Sequence, residues 1–262
     1  MDARPVGMFD SGVGGLSVLA AFERLAPHER VIYFADTAYF PYGPRPAAEV
    51  RKRAFAITNR LVASDVKMVV VACNTASAAA IKDLREAWEV PIVGMVPGLK
   101  PATSRSRSGH VAILATPGTL DGELYARVAE EFGRGARITT VAGEGLAELV
   151  EAGQPGASET REALRDLLGP AIARGADTVV LGCTHYHFLA EAITDAFPGL
   201  AIVDTAEPVA RRAVQLLAER ELAAPPGQQG SLDLIVSGDA GAFRRTMMRL
   251  GFAAQSREEA FA

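Results

Sequence analysis

Short, β-rich apolar runs alternate along this chain with segments of helical periodicity. Each run ends at glycine or small polar residues, and a helical pattern follows before the next run begins. Such alternation is typical of a parallel sheet that is flanked by helices, so the sequence predicts an α/β fold. The predicted strands are 6–9, 31–34, 68–72, 92–96, 111–115, 138–141, 178–181 and 201–203, with 232–236 as a further candidate. The predicted helices are 16–25, 54–62, 81–88, 124–132 and 209–222.

Two stretches divide these elements into sets. Residues 97–109 are rich in Pro, Ser, Arg and Gly, which is typical of a connection, and 205–208 offers a second break. A chain of 262 residues is near the size at which a single core stops growing efficiently. We therefore predict a first lobe of residues 1–97 plus 208–262 and a second lobe of residues 98–207, with a loosely held end at 256–262.

Composition excludes several classes of protein. The formal charge of -4 argues against a nucleic-acid surface. The first residues lack the charged and apolar regions of a secretory signal, and no apolar run reaches the length of a membrane span. The predicted location is the cytoplasm, where the two cysteines would be free thiols and not a disulfide.

The two cysteines stand in similar settings. The segments 67–75 and 177–185 each form an apolar strand that ends in a cysteine, Cys73 or Cys183, with threonine directly or nearly following. Two related lobes that face one another would explain this echo, although apolar strands also resemble each other by composition alone.

Both cysteines are predicted at the carboxyl ends of parallel strands, where ligands collect in α/β proteins. A thiol beside the N-terminus of a helix has its thiolate stabilised, so we expect a pKa below the usual value of roughly 8.5. One isolated cysteine is more often a small buried hydrophobe. Two in equivalent positions favour a function in chemistry.

A glycine-rich segment follows the first strand. Residues 10–15, Asp-Ser-Gly-Val-Gly-Gly, could present backbone N–H groups to an anion such as a carboxylate, or could simply allow close strand-to-helix packing. Ser17 replaces the third glycine of the dinucleotide fingerprint. Cys183, His185 and His187 are possible metal ligands, but no second Cys/His cluster completes a set, so no metal is predicted. His28 and His110 are interpreted as ordinary surface or loop residues.

Four segments together make the chain similar to the glutamate racemases of the aspartate/glutamate racemase family. Their order and separation match the family over nearly the whole length. The segments are Gly7-Met8-Phe9-Asp10-Ser11-Gly12-Val13-Gly14-Gly15-Leu16, Tyr33-Phe34-Ala35-Asp36-Thr37 with Pro41-Tyr42-Gly43, Val71-Ala72-Cys73-Asn74-Thr75-Ala76-Ser77, and Leu181-Gly182-Cys183-Thr184-His185.

The resemblance implies two pseudo-symmetric α/β lobes with the active site between them, and no pyridoxal phosphate, metal or nucleotide. It implies that Cys73 removes the α-proton of D-glutamate while Cys183 reprotonates the opposite face, and that the roles reverse for L-glutamate. Asp10 would assist Cys73 and His185 would assist Cys183. Asp36 and Glu151 are weaker auxiliary candidates. Glu151 is the less certain of the two, because Glu148 lies one helical turn away and could take the same role.

The resemblance also implies a set of substrate contacts and a biological setting. D-glutamate would supply peptidoglycan synthesis, and the family expectation is a homodimer. His187 stands where the family commonly has proline, which leaves the catalytic set intact. The implied substrate contacts are Asp10, Ser11, Tyr42, Gly43, Asn74, Thr75, Thr184 and His185, with Thr116 and Thr119 as additions.

Three alternatives remain open from the sequence. A racemase of the same superfamily acting on aspartate would differ only in the shape around the side-chain carboxylate. A binding module would use the same cleft without exchanging the α-hydrogen. A redox protein would need a disulfide between Cys73 and Cys183, which lack a Cys-x-x-Cys spacing.

Overall fold

The computed structural model describes residues 1–133, 135–252 and 257–260, and it confirms the α/β class. Every predicted strand is present, with bounds that differ by at most two residues at either end. The strands are β1 (Val6–Asp10), β2 (Arg30–Ala35), β3 (Met68–Val71), β4 (Ile92–Gly94), β5 (His110–Ala115), β6 (Arg137–Ala142), β7 (Thr178–Gly182), β8 (Ala201–Val203), β9 (Ser231–Val236) and β10 (Arg257–Ala260).

Helices follow most strands, as the alternation predicts. Two short 3-10 helices, Thr37–Tyr39 and Thr184–Leu189, follow β2 and β7. The α-helices are α1 (Leu16–Leu25), α2 (Ala47–Ala63), α3 (Asn74–Ala87), α4 (Leu99–Arg105), α5 (Pro117–Leu120), α6 (Glu123–Phe132), α7 (Leu146–Glu151), α8 (Ser158–Ala173), α9 (Ala190–Ala196), α10 (Ala206–Glu219) and α11 (Ala240–Arg249).

Within the described residues the strands form two sheets, and all pairings are parallel. The first sheet has the order β10-β9-β2-β1-β3-β4, and the second has the order β6-β5-β7-β8. The run β2-β1-β3-β4 of the first sheet thus repeats as β6-β5-β7-β8 in the second. β3 and β7, which precede the two cysteines, occupy equivalent places, so the echo in the sequence corresponds to a repeated topology.

The chain leaves the first sheet after β4, completes the second sheet, and returns through α10, which packs on α1. β1, β3 and β7 are buried along their whole length, as expected for parallel strands covered on both faces. No helix among the described residues is both long enough and apolar enough to cross a membrane.

Residues 97–109 connect the two sheets, as predicted, and they contain α4, which the sequence did not predict. Pro101 lies in the first turn of α4, where its missing N–H costs no helical hydrogen bond. Two local predictions are wrong. His110 is only 4% exposed, because its ring bonds the Thr139 hydroxyl (2.8 Å) on the neighbouring strand. Residues 257–260 of the predicted loose end form β10, which pairs with the otherwise open edge of β9; residues 256 and 261–262 lie outside the described residues.

Candidate active site

Both cysteines line one cavity at the carboxyl ends of the strands. Cys73 lies between β3 and α3, Cys183 lies between β7 and the second 3-10 helix, and both are free thiols. The cavity has a volume of about 320 Å³, which suits a small ligand. Its lining residues are Ser11, Phe40, Pro41, Tyr42, Gly43, Pro44, Cys73, Asn74, Thr75, Thr116, Pro117, Gly143, Glu144, Gly145, Ala147, Glu148, Cys183, Thr184 and His185.

Asp10 lies behind the cavity wall, beside Cys73. Its fully buried carboxylate accepts hydrogen bonds from the Gly15 N–H (2.5 Å), the Ser11 hydroxyl (3.4 Å) and the Thr184 hydroxyl (3.2 Å). Burial raises the pKa of the Asp10 carboxyl, and the neighbouring His185 and Cys73 oppose this. Asp10 therefore lies beside Cys73 and, through the Thr184 hydroxyl, is also bonded to the residue that follows Cys183.

Cys73 is a thiol at neutral pH. Burial raises its pKa well above the usual value, and the charge of Asp10 raises it further; a hydrogen bond from the Ala76 N–H in the first turn of α3 only partly opposes them. The expectation that the helix N-terminus would lower this pKa is wrong for Cys73, because loss of solvation outweighs the helix. Cys73 thus carries the proton that a general acid needs, although the raised pKa makes it a weaker acid than an exposed thiol.

This protonation state predicts the pH dependence of alkylation. Iodoacetamide reacts with thiolates, so its reaction with Cys73 should be slow at neutral pH and should accelerate as the pH rises through the raised thiol pKa. Asp10→Asn removes a negative charge that helps to raise this pKa, and the midpoint should move to lower pH. Mass spectrometry of the Cys73 peptide after timed labelling from about pH 7 to 11 would measure it. An unchanged midpoint in the variant would contradict the assigned influence of Asp10.

Cys183 has a different neighbour, the imidazole of His185. Nδ1 of His185 lies 3.8 Å from Sγ of Cys183, and Nε2 donates to Oε1 of Glu151 (2.8 Å). Burial disfavours the charged ring, but the hydrogen bonds with Cys183 and Glu151 outweigh it and raise the pKa of His185 well above its usual value. An imidazolium beside Cys183 stabilises negative charge on that sulfur.

The structure distinguishes Glu151 from Glu148, the two candidates for the glutamate that assists His185. Glu151 bonds His185 and also accepts from the Val13 N–H (2.7 Å), whereas the exposed Glu148 lines the cavity. Glu151 is therefore the carboxylate placed to orient His185, and it fastens the glycine-rich loop after β1 to α7.

Gly12 is needed for this arrangement. A Cβ on Gly12 would lie 1.8 Å from Oε1 of Glu151, so Gly12→Ala should displace the carboxylate from Val13 and His185. We expect a fall in turnover on the order of 10²-fold, the scale associated with displacement of catalytic groups by about 1 Å. Gly156→Ala is the matched control, because a Cβ there meets nothing within 4 Å. Equal steady-state rates for the two variants would refute the requirement.

Asp36 lies away from the thiols. It is fully buried, accepts from the Tyr42 hydroxyl (2.5 Å), and pairs with Arg53, whose Nη2 lies 2.7 Å from Oδ1. Burial and this carboxylate raise the pKa of Tyr42, which keeps its hydroxyl protonated. The hydrogen bonds thus place Asp36 with Tyr42 and not with a cysteine.

A cluster of three threonines forms a polar, uncharged part of the site. Hydroxyl oxygens of Thr75, Thr116 and Thr119 lie 2.9 to 3.4 Å apart, and Gly118 N–H donates to the carbonyl of Gly43 (3.0 Å). The Asn74 side chain is buried and neither its amide oxygen nor its nitrogen has a hydrogen-bond partner. Buried polar atoms are rarely left unpaired, so Asn74 is placed to bind a ligand.

Sequence reasoning missed several residues of this region. Gly143 and Glu144 line the cavity from a segment without clear periodicity, and Tyr186 supports that segment by donating to the Gly143 carbonyl (2.6 Å). Glu148, which the sequence offers only as an alternative to Glu151, lines the cavity as well. Arg53 lies within α2, in a pattern that indicates only a solvated helix face. None carries a motif that identifies it from sequence.

His187 makes a contact that proline could not. Its Nδ1 lies 2.9 Å from Oδ2 of Asp204, and this partner raises the pKa of His187 despite partial burial. The described residues contain no cluster of three His, Cys, Asp or Glu side chains that could hold a metal ion.

Comparison with known proteins identifies the family. The family model for Asp/Glu/Hydantoin racemase matches residues 15–213, a range that includes both cysteines, Glu151 and His185. A glutamate racemase from Herpetosiphon aurantiacus is 44% identical over 246 residues, which cover 94% of this chain and 97% of that protein.

The chain belongs to the Asp/Glu/Hydantoin racemase family.

Solved racemase structures extend the similarity to the fold. Glutamate racemase from Thermus thermophilus, in complex with β-chloro-D-alanine, is 37% identical with a TM-score of 0.86, covering 100% of this chain and 99% of that one. The Escherichia coli enzyme, in complex with L-glutamate and the activator UDP-MurNAc-ala, is 34% identical with a TM-score of 0.85, covering 99% and 98%. The family resemblance seen in the sequence is thereby confirmed.

Proposed function

We propose that this protein is a glutamate racemase that interconverts L- and D-glutamate, with Cys73 and Cys183 as the opposed acid and base. One observation carries the proposal. The two thiols follow equivalent strands of two repeated sheets and line the same cavity. Inversion at carbon requires a base on one face and an acid on the other, held in one rigid site.

The neighbours of each thiol support a starting protonation state. Cys73 carries a proton, and the imidazolium of His185 stands beside Cys183. From this state Cys183, as the thiolate, takes the α-proton of L-glutamate, and Cys73 delivers its own proton to the other face. The product is D-glutamate, with the thiolate now on Cys73 and the proton on Cys183. Reaction of D-glutamate runs the same transfers in reverse.

The intermediate carbanion needs stabilisation of the charge that spreads into the α-carboxylate. Lysine and arginine are absent from the described residues that line the cavity. The available donors are the Asn74 side-chain amide, the threonine hydroxyls, and the backbone N–H groups of Asn74 and Thr75 at the start of α3. We assign substrate contacts to the predicted residues that line the cavity: Ser11, Tyr42, Gly43, Asn74, Thr75, Thr184 and His185. The predicted contact from Asp10 is corrected, because its buried carboxylate lies behind the wall and reaches the cavity only through the Ser11 and Thr184 hydroxyls that it binds.

Glutamate is favoured over aspartate by the names of the similar proteins. The Herpetosiphon and Thermus relatives are named glutamate racemase, and the Escherichia coli structure contains L-glutamate. Supply of D-glutamate for peptidoglycan, a cytoplasmic location, a homodimer, and the two-lobe division at residues 97–98 and 207–208 belong to the same proposal.

Incubation in deuterated water tests the function. Each enantiomer of glutamate, and separately of aspartate, is incubated with the protein and followed by chiral chromatography and by loss of the α-proton NMR signal. We expect both glutamate enantiomers to converge on a racemic mixture that carries deuterium at the α-carbon. Racemisation of aspartate alone would reassign the substrate, and saturable binding without exchange would indicate a binding module.

A further inference from the structure

The loop between β2 and α2 carries a large part of the cavity wall. Phe40, Pro41, Tyr42, Gly43 and Pro44 are consecutive, and all five line the cavity. After the 3-10 helix Thr37–Tyr39 the loop has no regular secondary structure, so side-chain contacts help to hold it in place. Arg45 donates to the carbonyls of Tyr39 and Pro41 from the end of the loop, and Arg53 contacts the loop from α2.

Arg53 is linked to the loop through a two-pronged ion pair with Asp36. Its Nε and Nη2 donate to the two carboxylate oxygens of Asp36 at 3.0 and 2.7 Å, in the planar fork that only arginine provides. Asp36 has no exposed surface, and the same Oδ2 that accepts from Nε accepts from the Tyr42 hydroxyl at 2.5 Å. A buried carboxylate without its cation would be strongly unfavourable, so Tyr42 depends on Arg53 for its anchor.

The flat face of the Arg53 guanidinium stacks on Tyr39, at the beginning of the loop. Its central carbon lies 3.8 Å from the centre of the Tyr39 ring, a close cation–π contact. Arg53 therefore holds the loop at Tyr39 and, through Asp36, at Tyr42. Between them Phe40 packs against the imidazole of His185, with ring centres 5.4 Å apart.

We propose that Arg53 is a positioning residue for racemisation, which holds Tyr42 and Phe40 against the substrate cavity through its fork to Asp36 and its stack on Tyr39. Arg53 does not line the cavity and takes no part in proton transfer. This inference rests on the proposed racemase function. It also gives Asp36 a role in loop geometry and not in assistance to a thiol.

Arg53→Met tests the proposal. We expect KM for glutamate to rise roughly tenfold with a smaller fall in kcat, because the wall that receives the substrate is loosened while both thiols stay in place. Hydrogen–deuterium exchange of peptides spanning residues 37–45 should accelerate. Arg51→Met is the matched control, since Arg51 lies on the same helix and pairs outward with Asp83 (2.7 Å).

Further variants distinguish the effect of the Arg53 fork from the effects of its charge and of protein stability. Arg53→Lys keeps the charge but cannot form the fork, so it should resemble Arg53→Met. Should Arg53→Met prove unstable, the double variant Arg53→Met with Asp36→Asn removes the unpaired buried charge, and the same rise in KM is expected.

Three outcomes would overturn the inference: unchanged KM and loop exchange in Arg53→Met, full recovery in Arg53→Lys, or equal effects in Arg51→Met. Wild-type protein that fails to racemise glutamate would instead overturn the proposed function, and the loop-exchange comparison would still test the anchor.

Discussion

Racemisation of glutamate is expected to fall by about 10³-fold when either Cys73 or Cys183 is replaced by serine, within the range lost when a general acid or base is removed. A hydroxyl is a far poorer base than a thiolate near neutral pH, and each direction of reaction uses both side chains. The substitution changes one atom in a side chain that is at most 8% exposed, so the fold should be retained. Chiral analysis of initial rates measures the loss.

Exchange of the α-proton for deuterium, measured without racemisation, shows which cysteine acts on each enantiomer of glutamate. In deuterated water Cys183→Ser should exchange the α-proton of D-glutamate faster than that of L-glutamate, because Cys73 remains. Cys73→Ser should show the opposite preference. Circular dichroism of both variants is the control for folding. Retention of most turnover in either variant, or the same preference in both, would contradict the two-base mechanism.

Lys67→Met is expected to lower the free energy of unfolding by about 3–5 kcal/mol, the cost of leaving a buried charge without its partner. The Lys67 side chain has no exposed surface; its Nζ lies 2.6 Å from Oε2 of Glu29 and donates to the Asp2 carbonyl (2.7 Å). Glu29 also accepts from the Ala224 N–H (2.7 Å). The pair thus joins four distant parts of the chain, and urea unfolding measures its loss.

Two controls test whether burial of the charge causes the loss of stability in Lys67→Met. The double variant Lys67→Met with Glu29→Gln removes both charges, keeps an oxygen for Ala224, and should recover much of the stability. Arg24→Met breaks the exposed pair with Glu207 (2.8 Å), and almost no change in the free energy of unfolding is expected, because water solvates both charges with or without the pair. A loss in Lys67→Met no larger than in Arg24→Met would show that burial does not set the cost.

The strands could be predicted because parallel strands buried on both faces are continuous apolar runs. Helices were harder where small residues conceal the pattern. α3 begins at Asn74, but its first turns contain mainly alanine, threonine and serine, so periodicity indicated a helix only from residue 81. α4 was missed because Pro101 and its serine neighbours have the composition of a loop.

The site was predictable where a residue type carries its own chemistry. The structure brings Cys73, Cys183, Asp10 and His185 around one cavity, and it places Asn74, Thr75, Tyr42 and Thr184 in its wall. Two properties could not be read from sequence. The raised pKa of Cys73 depends on how deeply the thiol is buried, and the link from Arg53 to Tyr42 passes through Asp36, which only the fold brings between them.

The hydrogen bonds that span the two sheets are also the bonds that assemble the reactive groups. Thr184, after β7, donates to Asp10, after β1, and Val13, before α1, donates to Glu151 on α7. Parting the two sheets would break both of these bonds, while Asp10 would stay beside Cys73 and His185 beside Cys183. Each sheet thus carries a thiol together with its own neighbour, and what the bonds between the sheets secure is the spacing of the two thiols across one cavity.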